Sequence, residues 1–157
     1  MPESPDAESG DESKAGPFAP LIGQKARGCW LGYGSVLFLE FGEPQPLGDR
    51  EHHPRGEWGL WCDQVLWRIE QGDHVLAGSE DDRPIMESAI EQINGRVLLS
   101  GQVSESTGDS LLEFADHFVL KTFVTTTQED ARWQLRHGDA EHAFLGPKLA
   151  ESADVPR

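Results

Sequence analysis

Apolar residues recur at every second position along most of this chain, and at helical spacing only once. Trp58, Leu60 and Cys62 share one parity, and Val65, Trp67 and Ile69 share the other. A period of two is the mark of a half-buried strand. The change of parity predicts a bulge or tight bend near Asp63-Gln64. Upstream, Val36-Leu37-Phe38-Leu39-Glu40-Phe41 is almost continuously apolar, as in a central strand covered on both faces. It forms the second arm of a hairpin predicted from Gln24 to Phe41, whose first arm places Ala26, Gly28 and Trp30 on one face. Gly32-Tyr33-Gly34-Ser35 is the turn between the arms, where glycine supplies positive φ.

The helical exception begins at Ser79-Glu80-Asp81-Asp82-Arg83-Pro84. Ser79 or Asp82 is placed to cap, the acids suit the positive end of a helix dipole, and Pro is tolerated in a first turn. Ile85, Met86, Ala89, Ile90 and Ile93 then form one stripe at helical spacing. Asn94-Gly95 is a stop signal. The expected helix runs from about 84 to 93, with Ile85, Ile90 and Ile93 buried and Glu87 and Glu91 facing water.

Strand character returns afterwards. Val97, Leu99 and Val103 alternate, Leu112 and Phe114 alternate, and Asp116-His117 is a two-residue turn into Phe118–Val124. In the last long strand Ala131, Trp133 and Leu135 point inward, while Arg132, Gln134 and Arg136 point out. Val75-Leu76-Ala77 and Ala143-Phe144-Leu145 are short pairings. The expected fold is α+β: a mainly antiparallel sheet of about seven to nine strands in hairpins, with one helix packed on it.

Composition changes this picture at the ends. Residues 1–20 are acidic and rich in Pro, Ser and Gly, so they are expected to form a disordered tail. One domain is expected over 21–147, and a loose tail over 148–157. The N-terminus lacks the basic and apolar regions of a secretory signal, which points to the cytoplasm. No apolar run approaches the length of a membrane helix. Cys29 and Cys62 are not in CxxC spacing and read as free buried thiols. The net charge of −15 argues against binding nucleic acid or anionic lipid and is compatible with high solubility or with a basic protein partner. Nothing in the sequence speaks to oligomeric state.

Catalytic patterns are missing. Ser35 is not in a GxSxG elbow, the six His are scattered, and neither HExxH nor paired Cys ligands occur, so no metal site and no cofactor is expected. Gly32-x-Gly34 lacks the third Gly and the strand-to-helix context of a dinucleotide loop. An enzyme would have to assemble its site without a local motif.

The stretches LGYGSVLFLEFGEP, GEWGLWCDQVLWRIE and LAGSEDDRP, with the closing strands, resemble a group of small bacterial proteins that share LGxGSxLxLEFG, GEWxLW, WRIE and a SED-containing helix start. The resemblance spans about Leu21 to Pro147. The group has no established activity, so the resemblance implies no catalytic role. Its usual ending is an HW-x-L strand before Gly-Pro-Gly. Here Arg132 stands in the position of that His, and the turn reads Gly146-Pro147-Lys148.

Two functions follow. The first is a protein-binding module, immunity- or antitoxin-like, without catalysis. Segment 51–82 carries eight acids against Arg55 and Arg68, a balance of −6. Within it Glu51, Glu57, Asp63, Asp73, Glu80 and Asp81 are the candidate contacts. The second is a small-ligand or enzyme site beside a loop expected over 42–56, lined by His52, His53, Trp58 and Trp61 together with Glu57.

Overall fold

The parity change after Cys62 marks a larger event than a bulge, because there the chain leaves one sheet and enters another. The computed structural model describes residues 16–45, 55–63, 65–127, 132–138 and 140–145. The first sheet holds β1 (Trp30–Leu31), β2 (Leu37–Gln45), β3 (Arg55–Asp63), β9 (Arg132–His137) and β10 (Ala140–Leu145) in that spatial order. The second runs β5 (His74–Gly78), β4 (Leu66–Gln71), β8 (Phe118–Phe123), β7 (Ser110–Phe114) and β6 (Leu98–Val103). All pairings are antiparallel. The class is α+β, as the periodicity indicates. Among the described residues no helix is long and apolar enough to cross a membrane.

The two inner faces share one core. Leu37, Leu39 and Phe41 of β2, Leu60 and Cys62 of β3 and Leu135 of β9 belong to the same buried cluster as Trp67, Ile69, Leu112, Phe114 and Leu120. The Phe41 and Phe114 rings stack across the gap at 6.5 Å. Trp67 is buried to 2% exposure, and its indole N–H donates to the Ser35 carbonyl at 2.8 Å. That bond ties the second sheet to the turn between β1 and β2.

Backbone hydrogen bonds join the sheets along one side. Gly23 donates to the Leu98 carbonyl and Ala26 to the Arg96 carbonyl, while Arg27 donates to the Glu40 carbonyl. Segment 23–27 therefore bonds the start of β6 on one flank and β2 on the other, protecting edges that would otherwise be open.

The only α-helix among the described residues, α1 (Arg83–Ile93), packs against β1 and β5, an edge strand of each sheet. It closes the opening between two edges instead of lying on a broad face. That geometry buries a narrow stripe of Met86, Ala89, Ile90 and Ile93 and leaves Ile85 46% exposed, contrary to the expectation for Ile85. Asp82 is the N-cap by backbone geometry, but its side chain makes no capping bond. Ser79 is used elsewhere, as its hydroxyl accepts the Trp67 N–H at 3.0 Å.

Three further expectations are corrected. Order begins before Leu21, because Gly16–Leu21 form a 3-10 helix whose Phe18 and Leu21 are fully buried. Phe18 sits on β6 at Gly101, where a Cβ would lie 3.1 Å from Phe18 atoms. The stretch Gly16-Pro17-Phe18-Ala19-Pro20-Leu21 has no period of two, so the alternation rule passes over Phe18. The loop expected over 42–56 is shorter, since β2 runs on to Gln45 and β3 starts at Arg55. Gly42, at φ +85°, makes the bulge that lets β2 continue past Phe41 to pair Pro44 with Gly56. Arg136 points out by alternation yet is only 7% exposed. Residues 1–15, 46–54 and 146–157 lie outside the described residues, and with them most of the tails and the loop.

Two substitutions test this packing. Phe18→Ala should cost ~3–5 kcal/mol in a urea titration, the range for truncating a buried aromatic. A loss below about 1 kcal/mol would show that the 3-10 helix is not seated. Ile90→Asp should abolish folding, because it buries a charge without a partner. Ile85→Asp, on the exposed flank of the same helix, should keep a cooperative transition. If both unfold the domain, or neither does, the placement of α1 between the two edges is wrong.

Candidate functional site

The outer face of the first sheet carries two adjoining rows set by strand register. In one, Trp30, Phe38, Trp61 and Gln134 stand opposite one another across β1, β2, β3 and β9. In the other, two residues along, Glu40, Gly59 and Arg136 stand opposite one another across β2, β3 and β9. Alternation produces both rows, since Leu37, Leu39 and Phe41 take the inner face and leave Phe38 and Glu40 outside.

The first row is aromatic. The Trp30 and Phe38 rings stack at 4.0 Å, and Trp61 meets Phe38 edge-on at 5.3 Å. All three are partly exposed. Gly32 lies against the Phe38 ring, and a Cβ there would come within 2.6 Å of it. The β1–β2 turn is thereby held beside the row, and the next residue, Tyr33, is 97% exposed.

The second row is a buried ion pair. Arg136 Nη2 donates to Glu40 Oε1 at 2.9 Å, and the side chains are 8% and 4% exposed. The same Glu40 oxygen accepts the Gly56 N–H at 3.0 Å, and Arg136 Nη1 donates to the Gly138 carbonyl at 2.7 Å. Gly59 is the condition for this contact, because a Cβ there would collide with the guanidinium. Burial pushes the Glu40 carboxyl above the usual carboxylate range, while the Gly56 N–H and the Arg136 charge pull it back. Arg136 Nε is buried without a hydrogen-bond partner among the described residues.

The acidic candidates do not converge. Asp73 lies in the β4–β5 turn, whereas Glu80 and Asp81 follow β5 at its other end, about 20 Å away at strand rise. Asp81 accepts the Gly78 N–H at 2.8 Å, so it shapes that turn. Glu57 is on the other sheet, where it pairs with His137 at 3.2 Å. Asp63 ends β3, and its side chain is outside the description. Glu70, another acid of that segment, is held between Arg68 at 2.7 Å and Lys121 at 3.1 Å. Burial opposes its ionisation, and the two cations outweigh it, so its pKa is lowered.

The ligand-site candidates also separate. Trp58 and Trp61 differ by three positions and so face opposite sides of β3. Trp58 stacks on His137 at 4.0 Å, while Trp61 joins the outer aromatic row. Glu51, His52 and His53 lie outside the described residues. Cys29 is buried, and burial pushes its thiol up to about 12, which removes it as a nucleophile at neutral pH. Among the described residues no group of three or more His, Cys, Asp or Glu could hold a metal ion.

Sequence reasoning does not single out Glu40, Arg136, Trp30 or Phe38 as site residues. A signal is present for the pair: a Glu inside the apolar run VLFLEF needs a partner if both faces are covered. A glycine in mid-strand at 59 marks a close approach. Comparison with protein-family models, with characterised proteins and with solved structures returns no match.

The pair offers a direct test. Arg136→Met strands the buried Glu40 charge and should cost ~3–5 kcal/mol by urea titration. Adding Glu40→Leu should restore much of that loss, because an apolar replacement of a buried ion pair is often neutral. A single variant within ~0.5 kcal/mol of the wild type would show that the pair is hydrated in solution.

Proposed function

We propose that this protein is a non-catalytic protein-binding module, immunity- or antitoxin-like, whose contact with a basic partner is centred on the outer face of the first sheet. The observation that carries this is the row of Trp30, Phe38 and Trp61, three partly exposed aromatics in which both tryptophans contact Phe38 on the outer face of the sheet. Large aromatic side chains are what binding hot spots are made of, since each buries much area at little conformational cost. Tyr33 extends the row from a turn held against Phe38. The net charge of −15 supplies attraction for a basic partner and speeds encounter. The acids at 57, 73, 80 and 81 then act at range as parts of that field instead of forming one contact patch.

Capture from lysate of the source organism tests this. The immobilised protein should retain a basic protein at about 0.1 M salt and release it as salt shortens the range of the charges. Trp30→Ala or Trp61→Ala should weaken retention by about thirty-fold, the hot-spot range, with the fold intact by circular dichroism. Leu99→Ala, on an exposed site of the second sheet, should not. Equal retention by all three variants would remove the aromatic row from the contact.

A further inference from the structure

A cavity of about 300 Å³ opens between β1 and α1, lined in part by Trp30, Leu31, Arg83, Glu87, Ile90 and Glu91. It shares Trp30 with the outer aromatic row. We infer that this cavity receives one lysine or arginine side chain of the partner, and this rests on the protein-binding reading above.

The lining has the chemistry of an amphipathic cation. Leu31 and Ile90 are buried apolar groups suited to a methylene stem. Trp30 offers an indole, the best side chain for a cation–π contact. Glu87 and Glu91 lie one helical turn apart and are exposed. The volume is at the lower end for ligand cavities and suits a single side chain.

The one cation in the lining is already committed. Arg83 donates from Nη2 to the Leu31 carbonyl at 2.7 Å and from Nη1 to the Gly32 carbonyl at 3.0 Å. Its Nε pairs with Glu87 at 3.0 Å. Arg83 therefore anchors the helix start to the β1–β2 turn and does not neutralise Glu91. Glu91 itself stands in the last turn of α1, where the helix dipole disfavours a carboxylate. Among the described residues it has no ion-pair partner. Arg96, the nearest cation in sequence, bonds the Gln92 carbonyl and pairs with Asp116. Glu91 thus carries an uncompensated charge at an unfavourable helix position, and its field reaches the Cys29 thiol on the cavity wall. An arriving ammonium or guanidinium would relieve both conditions. An anionic ligand would meet the charges of Glu87 and Glu91 there.

The experiment uses the full chain, isotopically labelled, titrated with n-butylammonium, n-butylguanidinium and uncharged n-butanol while amide and indole resonances are followed by NMR. Saturable shifts of the Trp30 indole N–H and of residues 87–91 are expected with the cations and not with butanol. Which of the two cations binds tighter separates a lysine from an arginine as occupant. Glu87→Gln with Glu91→Gln should weaken the response at least about five-fold, while Asp73→Asn should leave it unchanged. Equal shifts across all acidic surfaces, or an unchanged response in the double variant, would overturn the assignment. The partner capture described above separates the two ideas. A double variant that still captures the partner at full strength overturns the cavity as a contact and leaves the module standing. Saturable cation binding at Trp30 with no partner captured by the wild type leaves the cavity and removes the module.

Discussion

Glu40 and Arg136 meet on the outer face of a sheet with almost no exposure, and the register of three strands depends on that meeting. Taking two charges out of water costs several kcal/mol per ion, so the pair is a poor source of net stability. Its strength is directional. A slip of one residue in β2 would send Glu40 into the apolar interior beside Leu60 and would turn Leu39 outward. The pairing Glu40–Gly59–Arg136 therefore admits one alignment of β2, β3 and β9. The aromatic row lies two residues along the same strands and inherits that alignment. Trp30, Phe38 and Trp61 can touch because the charged row beside them cannot move.

The glycines at 32 and 59 belong to the same constraint. Gly59 gives the guanidinium a path across β3, and Gly32 lets the β1–β2 turn rest on Phe38. Arg83 then clamps that turn from the helix side. Helix, turn and sheet face are thus linked through backbone carbonyls. A partner pressing on Tyr33 or Trp30 would meet a preorganised surface, which lowers the ordering cost of binding.

Much of the fold is legible in alternation. The strands from Leu37 to Phe41, Trp58 to Cys62, Trp67 to Ile69 and Phe118 to Phe123 lie where period two puts them, and α1 lies where period 3.6 puts it. Alternation reports a face but not a sheet, and so a parity change at Asp63-Gln64 could not be told from a bulge when it is a passage between two sheets. It also treats an outward position as a wet one. Arg136 shows the limit of that rule, because its neighbours on the outer face bury it although its parity is that of an exposed residue. Phe18 and Ile85 fail in opposite senses. Phe18 stands among small residues and prolines yet fills a space left by Gly101, while Ile85 extends an apolar stripe beyond the width that two sheet edges can cover.

The candidate site is less legible, for a physical reason. Acidic residues close in sequence suggest one patch, but a strand carries its ends far apart. Asp73 precedes β5, whereas Glu80 and Asp81 sit beyond its far end. Charge that is dispersed in this way acts as a field, and a field steers without choosing a partner. Choice needs desolvated contacts of fixed shape. On the binding reading proposed above those would be the aromatic row and the adjoining cavity at α1, both of which contain Trp30. Trp30 belongs to a strand of only two residues, and the alternation of Ala26, Gly28 and Trp30 that places it in a hairpin arm does not say what it packs against. The residue shared by the two contact features is thus the one whose position depends most completely on its surroundings: β2 through pairing, Phe38 through stacking, and α1 through the carbonyls that Arg83 holds.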